Sequence, residues 1–327
     1  MNTMANPAFE TPELTEQNPS RADDLAEVLQ GLRRQPKVLS PKFFYDDRGS
    51  RLFDDITELP EYYLTRTELA IMQEYISEIV SLIGPQASLI EFGSGSSMKT
   101  RILLQNLDRL AAYVPVDISR DHLVTAAEAL AAEFPHIEVL PVAADFTQPF
   151  DLPQPKVMPL RNIVYFPGST IGNFSPEAAQ ALLSVMHAEA KEGGALLIGV
   201  DLKKDRAILE HAYNDSAGVT AKFNLNMLRR LNNEFAGNFD PDRFEHRAIY
   251  KESPRRIEMH LVSTCSQNVS VAGETFHFDE GESIRTECSH KYTLCEFEEM
   301  AARAGFSVHR VWMDPKRLFS VQYCLRQ

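Results

Sequence analysis

Gly93-Ser94-Gly95 stands between a short apolar run, ASLIEF, and an amphipathic stretch, MKTRILLQNLDRLA. Glycines at such a junction let the backbone turn tightly and approach a ligand closely. Several readings compete. A phosphate-cradling loop needs a glycine before its lysine, and Met98 stands there ahead of Lys99-Thr100. A dinucleotide loop, G-x-G-x-x-G, meets Met98 again at its third glycine. S-adenosylmethionine carries no phosphate, and its amino group and sulfonium favour an acid beside the loop, where Glu91 stands. A glycine turn that binds nothing is the bland alternative. Asp117 closes the next apolar run, AAYVPVD, where a carboxylate accepts from two ribose hydroxyls. Asp145-Phe146 closes a third run and offers an acceptor for an adenine amino group with a ring to pack on it. Each acid alone would serve equally as a helix N-cap. Three polar strand ends together are where open α/β sheets bind ligands.

The elements around these residues alternate. ASLIEFG, AAYVPVD, IEVLPVAAD, NIVYFPG and GALLIGVD read as buried strands, and helical patterns separate most of them. That argues for a doubly wound parallel sheet. Ahead of it, a helix is expected from Arg21 to Arg34, and Thr65 with Glu68 reads as the capping box of a longer helix ending at Gly84-Pro85. After Asp201 the texture changes. A helical stretch runs from Lys204 towards Phe235, then ESPRRIEMHLVST, NVSVAGETFHFDEG and SIRTECSHKYT read as antiparallel strands. The end, EFEEMAARAGF, SVHRVWMD and FSVQYCLR, returns to helix and two strands and resembles the close of a class I methyltransferase sheet.

Composition narrows the partners. The 327 residues carry 46 acids and 33 bases, a net charge of −13, which disfavours nucleic acid and anionic membrane surfaces. The cysteines Cys265, Cys288, Cys295 and Cys324 form no metal-ligand spacing, so no metal is expected, and they read as isolated thiols of a cytoplasmic protein. The first 20 residues, with Pro7, Pro12 and Pro19, are expected to be poorly ordered and carry no signal-peptide pattern.

Seven blocks resemble the L-histidine Nα-methyltransferase family of ergothioneine biosynthesis: KFFYDDRGSRLFDDITELPEYYLTRTE, EFGSGSSMKTR, FPGSTIGNF, AYNDSAGVTAKFNLNML, FEHRAIY, RIEMHL and TECSHKY. The resemblance runs from about Lys42 to the C-terminus. It implies trimethylation of the histidine α-amino group to hercynine, with S-adenosylmethionine as donor, on a Rossmann-like class I methyltransferase domain with a second α+β substrate-binding domain. The expected division is 68–204 plus 291–327 for the methyltransferase domain and 21–67 plus 205–290 for the substrate domain.

The resemblance also implies roles. Glu91, Gly93, Ser94, Gly95, Lys99, Asp117, Asp145 and Phe146 would hold the cofactor. Tyr62, Tyr213 and Asn173 would hold the substrate carboxylate and orient the amine, with Tyr45 near the accepting nitrogen and Gly168 and Thr170 lining the same loop. Glu287 and Ser289 would read the imidazole, flanked by Met259, and Cys288 between them should point away. The chemistry is coherent with those types. Asn173 accepts through its carbonyl and donates through its amide, and Glu287 and Ser289 suit the two ring nitrogens. Tyr45, Phe53 and Tyr62 offer π faces to a nitrogen that ends permanently cationic, although core packing explains Phe53 equally well. The expected partners are L-histidine and its mono- and dimethyl forms, and the expected state is a monomer. Methylation of another amino acid such as tryptophan, or of another histidine nitrogen, is the alternative within the class. A nucleotide-dependent oxidoreductase and a non-catalytic cofactor-binding sensor are the alternatives outside it.

Overall fold

The computed structural model describes residues 12–95 and 98–327. In chain order the strands are β1 (Thr15–Gln17), β2 (Lys37–Val38), β3 (Ala87–Phe92), β4 (Ala112–Asp117), β5 (Val142–Ala144), β6 (Arg161–Phe166) and β7 (Ala195–Asp201). They continue as β8 (Phe244–Lys251), β9 (Arg256–Ser263), β10 (Gln267–Val271), β11 (Glu274–Phe278), β12 (Ser283–His290), β13 (Phe306–Met313) and β14 (Phe319–Arg326). The helices are α1 (Arg21–Arg33), α2 (Asp47–Thr57), α3 (Tyr63–Ile83), α4 (Met98–Asn106), α5 (Arg120–Glu133), α6 (Pro176–Ala190), α7 (Arg206–Tyr213), α8 (Val219–Phe235) and α9 (Leu294–Arg303).

Among the described residues an eight-stranded sheet runs β1-β5-β4-β3-β6-β7-β14-β13. The inner strands are parallel, and β14 enters antiparallel between β7 and β13. Alternate residues feed two cores. Ile90, Val164 and Ile198 pack under α6 and α9, while Leu89, Tyr165 and Leu197 pack with Ile71, Met72 and Ile79 of α3. The carboxyl ends of β3, β4, β5 and β6 therefore open on one side, where the loops carrying Gly93, Asp117, Asp145 and Gly168 follow them.

A second, four-stranded sheet runs β2-β12-β9-β8, and β10 pairs with β11 as a separate hairpin. The stretches 21–67 and 205–290 meet here. β2 pairs with β12, Phe44 stacks on Phe223 at 4.5 Å between centroids, and Asn226 Nδ2 donates to Asp46 Oδ1 at 2.8 Å.

Several expectations are corrected. Residues 1–11 of the stretch expected to be poorly ordered lie outside the described residues, but Thr15–Gln17 is an edge strand, because the open side of β5 supplies partners for its backbone. α3 starts at Tyr63, so Thr65 does not cap it, and Glu68 turns inward as a fully buried carboxylate. The helical stretch after Lys204 breaks into α7 and α8. Asp215 accepts from the amides of Val219 and Thr220, both at 2.8 Å, and so starts a new helix. FEHRAIYK, not read as a strand, forms β8.

Candidate active site

The residues expected to hold a cofactor all line a cavity of about 610 Å³. Gly93 leaves β3 with φ +73°, and a Cβ there would meet the Phe146 ring at 3.6 Å. Phe146 in turn packs on Phe92 and Phe166. The glycine is thus required by its backbone conformation, while the ring beneath it would only be in ordinary contact with a side chain there. Ser94 lines the cavity, and its hydroxyl is buried with no hydrogen-bond partner among the described residues. Asp117 Oδ1 accepts from the Ser119 amide at 2.8 Å and Oδ2 from Gly95 at 3.4 Å, and burial raises its carboxyl above the usual range. Asp145 caps its own turn, accepting from the Thr147 amide and hydroxyl at 3.0 and 2.6 Å, and still lines the cavity. Neither acid is a helix N-cap, since α5 is preceded by Ser119 and β6 is the next element after Asp145, but each holds a local turn and its carboxylate keeps acceptor capacity beyond it.

Glu91 also lines the cavity, but its Oε2 is taken by Thr100 Oγ1 at 2.6 Å and Tyr113 Oη at 2.5 Å. Burial pushes it up to about 7 against those two hydrogen bonds. Lys99 forms an ion pair at 2.6 Å with Glu68, and Glu68 also accepts from the Gly168 amide at 2.9 Å. Sequence reading missed Glu68 as a site residue because its spacing from Thr65 mimicked a cap. One buried carboxylate on α3 ties the glycine-loop helix to the loop after β6.

The same cavity is also lined by Tyr45, Phe53, Tyr62, Gly168, Thr170 and Asn173. Their rings form an aromatic layer. Phe53 lies 5.8 Å from Tyr45 and 6.3 Å from Tyr62, and Tyr62 lies 6.2 Å from Tyr213. Phe223 of α8 backs it at 5.9 Å from both Tyr45 and Phe53. Phe223 was not singled out from sequence, and its only signal was an aromatic on the apolar face of a helix.

Tyr213, Met259, Glu287 and Ser289 are not on the cavity wall but adjoin it. Glu287 faces Met259 across the β12–β9 ladder, and an irregularity in the ladder between Arg285 and Glu287 precedes the pair Glu287 and Ser289. Burial raises Glu287 to about 7, opposed by the Lys291 ammonium. Burial first, and then the Glu287 charge, holds the Tyr45 phenol far above its ordinary value, and Tyr62 is raised by burial, Tyr213 and Glu287. Tyr213 Oη donates to Ser289 Oγ at 2.9 Å, and Lys291 Nζ donates to Ser289 Oγ at 2.8 Å. Lys291, another residue the sequence did not flag, is paired with Asp201 at 2.7 Å, both fully buried. The turn Thr170–Asn173 is pressed against this strand, since a Cβ on Gly172 would sit 2.8 Å from the His290 carbonyl oxygen. Cys288 faces Glu258 on the neighbouring strand, and the charges of Arg285 and Arg256 act on its thiol, while burial raises it.

A family profile described as "Histidine-specific methyltransferase, SAM-dependent" matches residues 24–326. The chain is 40% identical over 316 residues to a histidine N-alpha-methyltransferase of Mycolicibacterium smegmatis, covering 93% of this chain and 97% of that one. It is 32% identical over 285 residues to ergothioneine biosynthesis protein 1 of Neurospora crassa, covering 85% of this chain and 32% of that one. Among solved structures, an S-adenosylmethionine-dependent methyltransferase from Clostridium acetobutylicum superposes with TM-score 0.50 at 11% identity, over 84% of this chain and 98% of that one.

Proposed function

Because the chain belongs to the family of histidine-specific, SAM-dependent methyltransferases, we propose that it methylates the α-amino group of L-histidine three times, to hercynine, as a step towards ergothioneine. Its fold is the Rossmann-like fold of class I methyltransferases.

The glycine-loop end of the cavity suits S-adenosylmethionine. Asp117 and Asp145 offer acceptors for ribose hydroxyls and an adenine amino group, Phe146 offers a ring, and the Ser94 hydroxyl awaits a partner. Glu91, Gly93, Gly95 and Lys99 complete the set we assign to it. When bound, S-adenosylmethionine supplies an electrophilic methyl group on its sulfonium. The chain must then bring a neutral amine into line with that methyl, although a free α-amino group titrates near ~8 and is mostly protonated at neutral pH. Tyr45 is no base for this, because burial and Glu287 keep its phenol protonated; its role is to orient the nitrogen and to bridge to the water that carries the released proton away. Asn173 accepts from the amine and donates to the carboxylate, and Tyr62 donates to the same carboxylate. Gly168 and Thr170 shape the loop beside them. Proximity and alignment supply most of the acceleration. Tyr45, Phe53 and Tyr62 face the nitrogen as it becomes quaternary.

One observation carries the histidine reading: Glu287 and Ser289 share a strand face beside Tyr45, Tyr62 and Met259. An acceptor and a hydroxyl at that spacing suit the two nitrogens of an imidazole. The division into 68–204 plus 291–327 and 21–67 plus 205–290 follows the same logic, the first holding the donor and the second reading the side chain. With a net charge of −13 we assign no nucleic-acid or membrane partner, and we place the enzyme in the cytoplasm as a monomer. Incubation with S-adenosylmethionine and a mixture of free amino acids, followed by mass spectrometry, tests the reading. Histidine should gain up to three methyl groups. Methylation of another amino acid with histidine untouched, or NADH oxidation without methyl transfer, would refute it.

A further inference from the structure

Lys291 donates to both Tyr213 and Ser289. Its ammonium has three protons and no lone pair. Those protons are met by Asp201 Oδ2 at 2.7 Å, Ser289 Oγ at 2.8 Å and Tyr213 Oη at 3.2 Å. The lysine is therefore saturated, and its direction of donation is not in question, because it cannot accept. Ser289 Oγ receives a second hydrogen bond, from Tyr213 Oη at 2.9 Å, which directs that phenol's one proton to the serine and leaves the substrate carboxylate to Tyr62 and Asn173. A hydroxyl oxygen has two lone pairs, and both are now in use. Only the Ser289 proton is left to offer a ligand. Glu287, the next residue on the same face of β12, has the opposite character when ionised, since a carboxylate only accepts.

We propose that the Lys291–Asp201 pair makes Ser289 an obligatory donor, so that the site selects a neutral imidazole by its one bare nitrogen as well as its one N–H. Lys291 is on this view a positioning residue that sets side-chain specificity without touching the substrate. The proposal rests on the histidine reading above and deepens it. An imidazolium, with two N–H groups, would set one of them against the Ser289 proton. A ring with an N–H but no bare nitrogen would leave that proton without an acceptor. Sites that place a polar group for a specific partner discriminate strongly against ligands lacking it.

The test compares histidine with the two pyrrolylalanine isomers, each carrying one ring N–H and no bare nitrogen. Wild type should prefer histidine by on the order of 10²-fold or more in kcat/KM. Lys291→Met frees Ser289 to rotate, and Asp201 keeps Lys204 as a partner, so its charge is not stranded. This variant should show a raised KM for histidine, kcat and S-adenosylmethionine affinity changed by less than about threefold, and a preference reduced to within about tenfold. Ser289→Ala, which leaves the buried pair intact, should lose the preference to the same extent, and the double variant should lose no more. A Lys291→Met enzyme that weakens on histidine and the pyrroles equally would overturn the proposal. So would a wild type that takes the pyrroles as well as histidine, because Ser289 would then be accepting from the ring while Tyr213 donates elsewhere. A Lys291→Met chain that fails to fold leaves Ser289→Ala to decide, and retention of the preference there overturns the proposal. Absence of histidine methylation by wild type is a separate result and defeats the histidine reading itself.

Discussion

At the scale of single residues, the informative acids do two things at once. Asp117 and Asp145 accept from local backbone amides and still line the cavity, so each holds a turn and keeps acceptor capacity towards it. Glu91 is legible as a site residue from its place before the glycine loop, but its hydrogen bonds to Thr100 and Tyr113 are not, since they depend on which face of two strands and a helix meet. Its ionisation has a stability consequence. A carboxyl raised from 4.5 to about 7 binds its proton more tightly in the folded chain than in the unfolded one. The resulting stabilisation is complete below the unfolded value and is lost as pH rises through the folded one. Glu91→Gln removes this dependence. The difference in Tm, variant minus wild type, should therefore increase between about pH 5 and about pH 8 in differential scanning fluorimetry. A difference that stays flat or falls across that window would mean that Glu91 titrates normally.

Among elements, the strands and helices of the central sheet were readable because each buried strand is a short branched apolar run and each helix has one apolar face. The failures have local causes. Thr65 and Glu68 have cap spacing, but Glu68 gains more from Lys99 and the Gly168 amide than from a helix end. The α7–α8 break depends on Asp215 folding back on two amides, which no period reveals. Contact between the Thr170–Asn173 turn and β12 was also invisible, because it shows only as the lack of a side chain at Gly172. That contact is testable. Gly172→Ala puts a methyl against a backbone carbonyl of β12, where nothing flexible yields, and shifts Asn173 relative to Ser289. We expect kcat/KM for histidine to fall by at least about tenfold while S-adenosylmethionine affinity, measured by calorimetry, stays within about threefold. An equal loss of both would place the damage in the fold rather than in the alignment of the two ends of the substrate.

On the scale of the whole molecule, the sheet and the aromatic layer share one continuous core, and within the second part Phe223 joins the stretch 205–290 to Phe44, Tyr45 and Phe53 of the stretch 21–67. Phe223→Ala should cost about 3–5 kcal/mol in denaturant unfolding, as for other buried aromatics. Its effect on activity should exceed that on stability, since two cavity rings lose their support. Stability within about 0.5 kcal/mol of wild type would show that the stretches 21–67 and 205–290 are joined elsewhere. The return of the chain to the first sheet after an interruption was legible from the change in texture after Asp201 and its reversal at α9. The joining of 21–67 with 205–290 was an expectation from the sequence, but the pairing that makes it was not, because it sets a two-residue strand, β2, against β12.

Asp201 has a consequence for how this site changes over generations. It ends β7, accepts from Tyr63 Oη at 2.9 and 2.7 Å, and pairs with both Lys204 and Lys291. Loss of either lysine leaves the carboxylate a cation, whereas loss of Asp201 leaves two buried ammonium groups facing each other. Substitution has a preferred order, with the lysines free to drift first and the aspartate last. A lineage, or a directed-evolution library, moving towards a different ring should pass through Ser289, Glu287 and Lys291 while Asp201 stays put, and libraries that randomise Asp201 early will spend most of their members on chains that do not fold.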